Sequence, residues 1–210
     1  MPIVFQTSAP DIDCSLAVWD STESLEQLME LVHLTEQERL QWNSITSITR
    51  QREFLTVRVL LKMLSGTYRT ILYDANGKPS LDNGHFISIS HSKSHVAIII
   101  SSTRQVGIDL EAARQNIGAI APKFVSEEEK KSFGTWLSDE ALHVIWGAKE
   151  VAYKLYGKGS VDFKKDLFVE GAKIISDGRI YVTIQKTDLK ARISAMYRQL
   201  NGYMLVWAEW

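Results

Sequence analysis

Apolar residues recur at helical spacing through the first third of the chain. Leu25, Leu28, Met29 and Val32 follow Asp20 and Glu23, a pair placed to open a helix with a capping box. Leu16 to Trp19, just ahead, reads as a short strand. Thr35 and Glu38 repeat the start signal for a second helix. Between Thr49 and Leu64, Phe54, Val57, Leu61 and Leu64 fall on one helical face, and Gly66 supplies the stop. The texture then changes. Asn76 to Pro79 and Asp82 to Gly84 are turn clusters. Phe86 to Ser90 largely alternates polar and apolar residues, Val96 to Ile100 is a run of branched side chains, and Val106 to Glu111 alternates again. All three are expected strands.

Helical signals return with Ser126 and Glu129, a third capping box, and with Ser138, which opens a long helix to about Tyr156 closed by Gly157 and Gly159. The remainder reads as strands: Lys173 to Ile175, Ile180 to Gln185, Ile193 to Tyr197 and Tyr203 to Trp207. Asp177-Gly178 and Asn201-Gly202 are the expected hairpin turns. Leu16 to Ile100 and Val106 to Trp207 run through a similar order of elements. That order predicts an α+β protein of two similar lobes, residues 1–102 and 103–210.

Composition narrows the setting. The chain has 210 residues, 45% hydrophobic and 23% charged, with a formal net charge of -1. That is enough apolar material for a real core, and it carries no basic excess for wrapping a nucleic acid duplex. Cys14 is the single cysteine, so no internal disulfide forms. Met1 to Asp20 shows no signal-peptide pattern, and the longest apolar stretch, Val96 to Ile100, is too short to span a bilayer. The expectation is a cytoplasmic protein that engages neither membrane nor nucleic acid.

Five segments can carry chemistry. In Val106-Gly107-Ile108-Asp109-Leu110-Glu111 the alternation sends Asp109 and Glu111 to one face of a strand, about 7 Å apart at Cα. Such a pair can hold a hard cation, or it can be the solvent face of a half-buried strand. On the long helix Trp146, Glu150 and Lys154 share a face with Lys149 flanking, which suits either a site or an ordinary surface ion pair. Ser90-His91-Ser92 can donate to a phosphate or simply turn the chain. Arg50, Arg52 and Arg58 on one helix, with Lys78 in a turn, suit phosphate oxygens or a solvated face. Glu129 sits where its capping box wants it.

Taken in order, Gly77-Lys78-Pro79, Ser90-His91-Ser92, Gly107-Ile108-Asp109-Leu110-Glu111 and Trp146-x-x-Lys149-Glu150-x-x-x-Lys154 resemble the phosphopantetheinyl transferase superfamily, in its larger, pseudo-dimeric type. The resemblance implies a 4'-phosphopantetheinyl transferase fold. It also implies transfer of phosphopantetheine from coenzyme A to a serine of an acyl or peptidyl carrier protein. It makes Asp109, Glu111 and Glu150 ligands of magnesium, with Glu129 a secondary acidic candidate near the metal. His91 and Lys154 then contact the diphosphate, and Lys78, Arg52 and Arg58 hold the 3'-phosphate and adenine end. Ser90 and Lys149 support them. Glu150 becomes the candidate general base, and Lys154 the group that stabilises or protonates the leaving group. Lys123, Phe124, Lys130 and Lys131 form an expected basic and apolar patch for the carrier. Two lobes in one chain imply a monomer. A metal-dependent phosphodiesterase or nuclease, or a non-catalytic homologue that binds coenzyme A or a carrier, are the competing readings.

Overall fold

The computed structural model describes residues 3–9, 14–114, 116–134, 137–171 and 174–210. The chain divides into two compact units, Met1–Leu72 with Pro79–Thr103, and Tyr73–Lys78 with Arg104–Trp210. The class is α+β, with helices and two antiparallel sheets. Among the described residues no helix is long and apolar enough to cross a membrane.

The first unit is built on a six-stranded sheet. Its strands are β1 (Ile3–Ala9), β2 (Cys14–Asp20), β3 (Ile71–Tyr73), β4 (Pro79–Leu81), β5 (Phe86–Ser92) and β6 (His95–Ser101), in the spatial order β1-β2-β6-β5-β4-β3. Helices α1 (Leu25–Leu31), α2 (Glu36–Ser44) and α3 (Ile48–Ser65) accompany it. Leu55, Leu60 and Leu61 of α3 enter a core with Trp19, Leu28, Ile87 and Ile98. Thr35 and Glu38 form the expected capping box on α2, and Gly66 closes α3 in the left-handed region at φ 71°.

The first helix starts later than expected. Its N-cap is Ser24, boxed with Gln27, while Asp20 ends β2 and Glu23 accepts a bond from the Trp19 indole at 3.0 Å. The strand expected to end at Ser90 also continues, so that His91 and Ser92 pair with Val96 and His95 and lie on β5 rather than in a turn.

The second unit carries a five-stranded sheet in the order β7-β11-β10-β9-β8. The strands are β7 (Val106–Ala112), β8 (Leu167–Glu170), β9 (Asp177–Gln185), β10 (Lys190–Leu200) and β11 (Tyr203–Glu209). Helices α4 (Ile117–Ile120), α5 (Glu127–Phe133) and α6 (Asp139–Tyr156) complete it, with a 3-10 turn at Ala121–Lys123. Asn201 and Gly202, both at positive φ, make the two-residue turn between β10 and β11.

Of the strand expected at Lys173 to Ile175, Lys173 lies outside the described residues, and Ile174 and Ile175 are not in a strand. Leu167–Glu170 pairs with β9 in its place. Asp177-Gly178 opens β9 opposite Arg198 and Tyr197 instead of forming a turn. The Tyr197 hydroxyl stands 2.8 Å from where a Cβ on Gly178 would be, so only glycine fits under it.

Helix α6 positions the candidate site. Val144, Ile145, Ala148, Val151, Ala152 and Leu155 on it join Val182, Ile193 and Val206 of the sheet in the core of this unit. Two glycines set how close it comes. A Cβ on Gly107 would lie 3.0 Å from the Val151 carbonyl oxygen, and one on Gly147 would lie 2.6 Å from Val206 Cγ2. The second distance is closer than real Cβ atoms approach and the first is tighter than most, so both glycines let α6 lie close on β7 and β11.

Candidate active site

Strand β7 is not half-exposed. Val106, Ile108 and Leu110 are buried on one side, and Gly107 and Asp109 on the other, with Asp109 6% exposed. The solvent-face reading of this segment therefore fails. Asp109 is turned toward α6: its Oδ2 lies 3.5 Å from the Cβ position of Gly147, and its Oδ1 accepts from Lys154 Nζ at 3.1 Å. Lys154 also donates to the Ile108 carbonyl at 2.7 Å, which fixes its ammonium over the strand. Glu150 lies between these two points along the helix. Its carboxyl is pushed up to about 7, first by burial and then by the charge of Asp109, with Glu111 adding and Lys154 opposing. Glu111 is held by Arg114, whose Nε donates to it at 2.8 Å.

These contacts bring together Asp109, Glu150 and Lys154, with Glu111 within their field. All the donors are carboxylate oxygens, the set a hard divalent cation such as magnesium takes, and Glu150 pays electrostatically for their crowding. In that respect the residues fit a cation. Their carboxylates are not drawn around one point, however. Among the described residues no three His, Cys, Asp or Glu side chains form a metal cluster. Asp109 is turned to Lys154 and Glu111 to Arg114.

The raised Glu150 carboxyl gives a stability prediction. The folded chain holds this proton more tightly than the unfolded chain, so stability falls as pH climbs from about 4.5 to about 7. Above that window the penalty reaches about 3 kcal/mol. Glu150→Gln should therefore stabilise the protein in urea melts at pH 8 without divalent cations, and the gain should vanish near pH 4.5. A gain independent of pH would contradict the assignment.

Other expected residues are placed differently. Lys149 is fully buried, and its ammonium donates to the carbonyls of Phe124 at 2.6 Å and Phe163 at 2.8 Å and to Glu129. Burial pushes it below the usual lysine range, with Glu129 opposing. Glu129 is also fully buried. Its Oε2 takes the Ser126 amide at 2.7 Å and its Oε1 the Val169 amide at 2.8 Å, and both oxygens face Lys149. Four contacts thus occupy its two oxygens. Its capping box with Ser126 is present.

Arg58, expected at a phosphate, is 7% exposed. Its Nε donates to Glu38 at 2.9 Å, and its guanidinium lies 3.3 Å from the centre of the Phe54 ring. That partner set turns it inward. Arg52 is partly exposed, with a buried Nε that has no hydrogen-bond partner among the described residues. His91 is exposed and its Nδ1 lies 3.3 Å from Glu53, while the neighbouring Ser90 is buried.

Lys78 belongs to the second unit, and its ammonium donates to Gln105 at 2.8 Å and to the Leu155 carbonyl at 3.1 Å. A cation on the last-turn carbonyls of α6 complements the helix dipole. Burial lowers its pKa from the usual lysine value. In the expected carrier patch Phe124 is 1% exposed and belongs to the core, so it presents no apolar surface, whereas Lys123 and Lys131 are exposed.

Sequence reasoning missed three neighbours of this site, Phe163, Tyr153 and His143. Trp146 packs its edge on Phe124 at 5.1 Å and leans on Phe163 at 5.4 Å, with Tyr153 6.0 Å from Phe163. His143 is buried on α6, one turn before Gly147. Its Nδ1 donates to the Asp139 carbonyl at 2.6 Å and its Nε2 accepts the Arg114 amide at 3.0 Å. The one available signal was spacing: His143, Gly147, Glu150 and Lys154 repeat at helical intervals.

Comparison with known proteins bears on this same region. Residues 105–205 match the 4'-phosphopantetheinyl transferase superfamily. The chain is also similar to the 4'-phosphopantetheinyl transferase HetI of Nostoc sp. (strain PCC 7120), at 29% identity over 127 residues. That alignment covers 52% of this chain and 53% of the relative, so the chain spans about half the length of the curated protein it matches. Of the motifs that carry the resemblance, Gly107 to Glu111 and Trp146 to Lys154 lie inside the matched residues, and Gly77 to Pro79 and Ser90 to Ser92 lie outside them.

Proposed function

We propose, from the match of residues 105–205 to the 4'-phosphopantetheinyl transferase superfamily, that this protein moves phosphopantetheine from coenzyme A to a serine of an apo acyl or peptidyl carrier protein. The observation that supports the reading most is the pairing of Lys154 with buried Asp109 beside Glu150. It sets a cation and a carboxylate of neutral-range pKa against one strand.

The carrier serine attacks the β-phosphorus of coenzyme A, and 3',5'-ADP leaves. Such a transfer asks for positioning and charge more than for covalent participation. Asp109, Glu111 and Glu150 are the residues that would hold magnesium, which offsets charge on the diphosphate oxygens when bound. Glu150, buried beside Asp109, is the proposed acceptor of the serine proton. Lys154 donates to the departing oxygen.

His91, backed by Ser90, and Arg52 are the proposed contacts for the phosphates of coenzyme A. Lys78 holds the end of α6, and Lys149 holds α5 and the Phe163 loop in a supporting role. The reading extends to the larger, two-lobed type of enzyme, lobes 1–102 and 103–210, acting as a cytoplasmic monomer.

A chromatographic assay for 3',5'-ADP tests this. Release should require coenzyme A, magnesium and an apo carrier together. Release without a carrier, or cleavage of a nucleic acid in its place, would favour a phosphodiesterase. An acidic carrier would meet exposed Lys123 and Lys131. Reversing both, Lys123→Glu with Lys131→Glu, should raise the carrier KM roughly tenfold and leave the coenzyme A KM unchanged. Unchanged carrier kinetics would remove these lysines from the interface.

A further inference from the structure

Glu111 is distinguished from the other two candidate ligands by what holds it. Its carboxylate is engaged by Arg114 three residues on, at 2.8 Å, and Arg114 is half-exposed while Glu111 is largely covered. The backbone of Arg114 is fixed independently. Its amide donates to Nε2 of His143, which is 4% exposed and whose other ring nitrogen donates within α6. The Arg114 backbone is therefore held independently of its guanidinium. Its side chain also lines a cavity of about 230 Å³, whose wall includes the carboxylate residues Asp139 and Glu140 as well as His143 and Tyr203. Asp139 and Glu140 thus bring two further carboxylate residues to the same cavity wall as Arg114.

We propose that Arg114 is an exchangeable counterion of Glu111, which yields the carboxylate to a divalent cation by moving into the cavity toward Asp139 and Glu140, and thereby sets the affinity for that cation. This rests on the reading of Glu111 as a metal ligand. The physical argument is competition. Arg114 occupies Oε1 of Glu111, so a cation that takes that oxygen displaces the guanidinium from it. An exposed pair of this kind contributes at most about 1 kcal/mol, so the competition is weak enough to be reversible and large enough to measure. Arg114 is a positioning residue in this account, since it acts through Glu111 and touches no reacting atom.

Magnesium binding to the full chain, measured by calorimetry without coenzyme A, tests it. Arg114→Ala should tighten the magnesium Kd about fivefold, with little change in melting temperature. In a Glu111→Gln background, titrated to saturation, the same substitution should change nothing. A Kd that is unchanged or weaker in Arg114→Ala overturns the inference alone. So does equal tightening in both backgrounds, which would mean simple charge repulsion. No magnesium binding by the unmodified chain overturns both the inference and the reading beneath it.

Discussion

Under the proposed function, Asp109→Asn should abolish phosphopantetheine transfer, on the order of a thousandfold or more in rate, while the protein stays folded. Asparagine keeps the shape of the side chain, and its amide oxygen can still accept from Lys154, so the packing against Gly147 survives. What is lost is the charge. Removing a carboxylate from the proposed three-carboxylate set weakens cation binding, and it leaves the Lys154 ammonium with neutral acceptors only, the amide and the Ile108 carbonyl. A structural readout accompanies the kinetic one. Asp109 is the largest charge holding the Glu150 carboxyl up, so that carboxyl should titrate below its value of about 7 in the variant. Carbon-detected NMR of the Glu150 side chain checks this. Near-normal turnover in Asp109→Asn would remove Asp109 from the site.

Lys149→Met should destabilise the protein by about 3–5 kcal/mol, a third or more of the stability of an ordinary domain. The methionine fills most of the volume, so the loss comes from electrostatics rather than from a cavity. Glu129 would be left fully buried with no counterion, and the carbonyls of Phe124 and Phe163 would each lose a donor. Removing both charges, Lys149→Met with Glu129→Leu, should recover only part of the loss, because the Ser126 and Val169 amides also bond to Glu129. Urea denaturation at pH 7 measures both variants. A loss below about 1 kcal/mol in the single variant would mean that the pair is more hydrated than its burial implies.

Local grammar explains what could be read in advance. Ser126 with Glu129, Ser138 with Gly157, and Asn201-Gly202 are short-range signals, and each produces the element it announces. The alternation in Val106 to Glu111 gave β7 and the shared face of Asp109 and Glu111, because a strand's period fixes side regardless of partner. Burial was not legible. Arg58 with Glu38 and Lys149 with Glu129 are both pairs 20 residues apart, brought together only by tertiary packing. Residue type alone made both cations look like surface or phosphate-binding groups. Short strands such as Ile71–Tyr73 and Pro79–Leu81 carry too few residues for a period to register. His143 escaped notice for a similar reason, since its role depends on an amide 29 residues away.

The account turns on whether Asp109, Glu150 and Lys154 serve the transfer of a phosphopantetheine group. Intact-mass spectrometry of an apo carrier protein, incubated with coenzyme A, magnesium and this protein, measures that step itself. The carrier should gain the mass of one phosphopantetheine group with the unmodified chain, and gain nothing when its acceptor serine is replaced by alanine. A carrier whose mass never changes, under conditions where an authentic transferase loads it fully, would contradict the account.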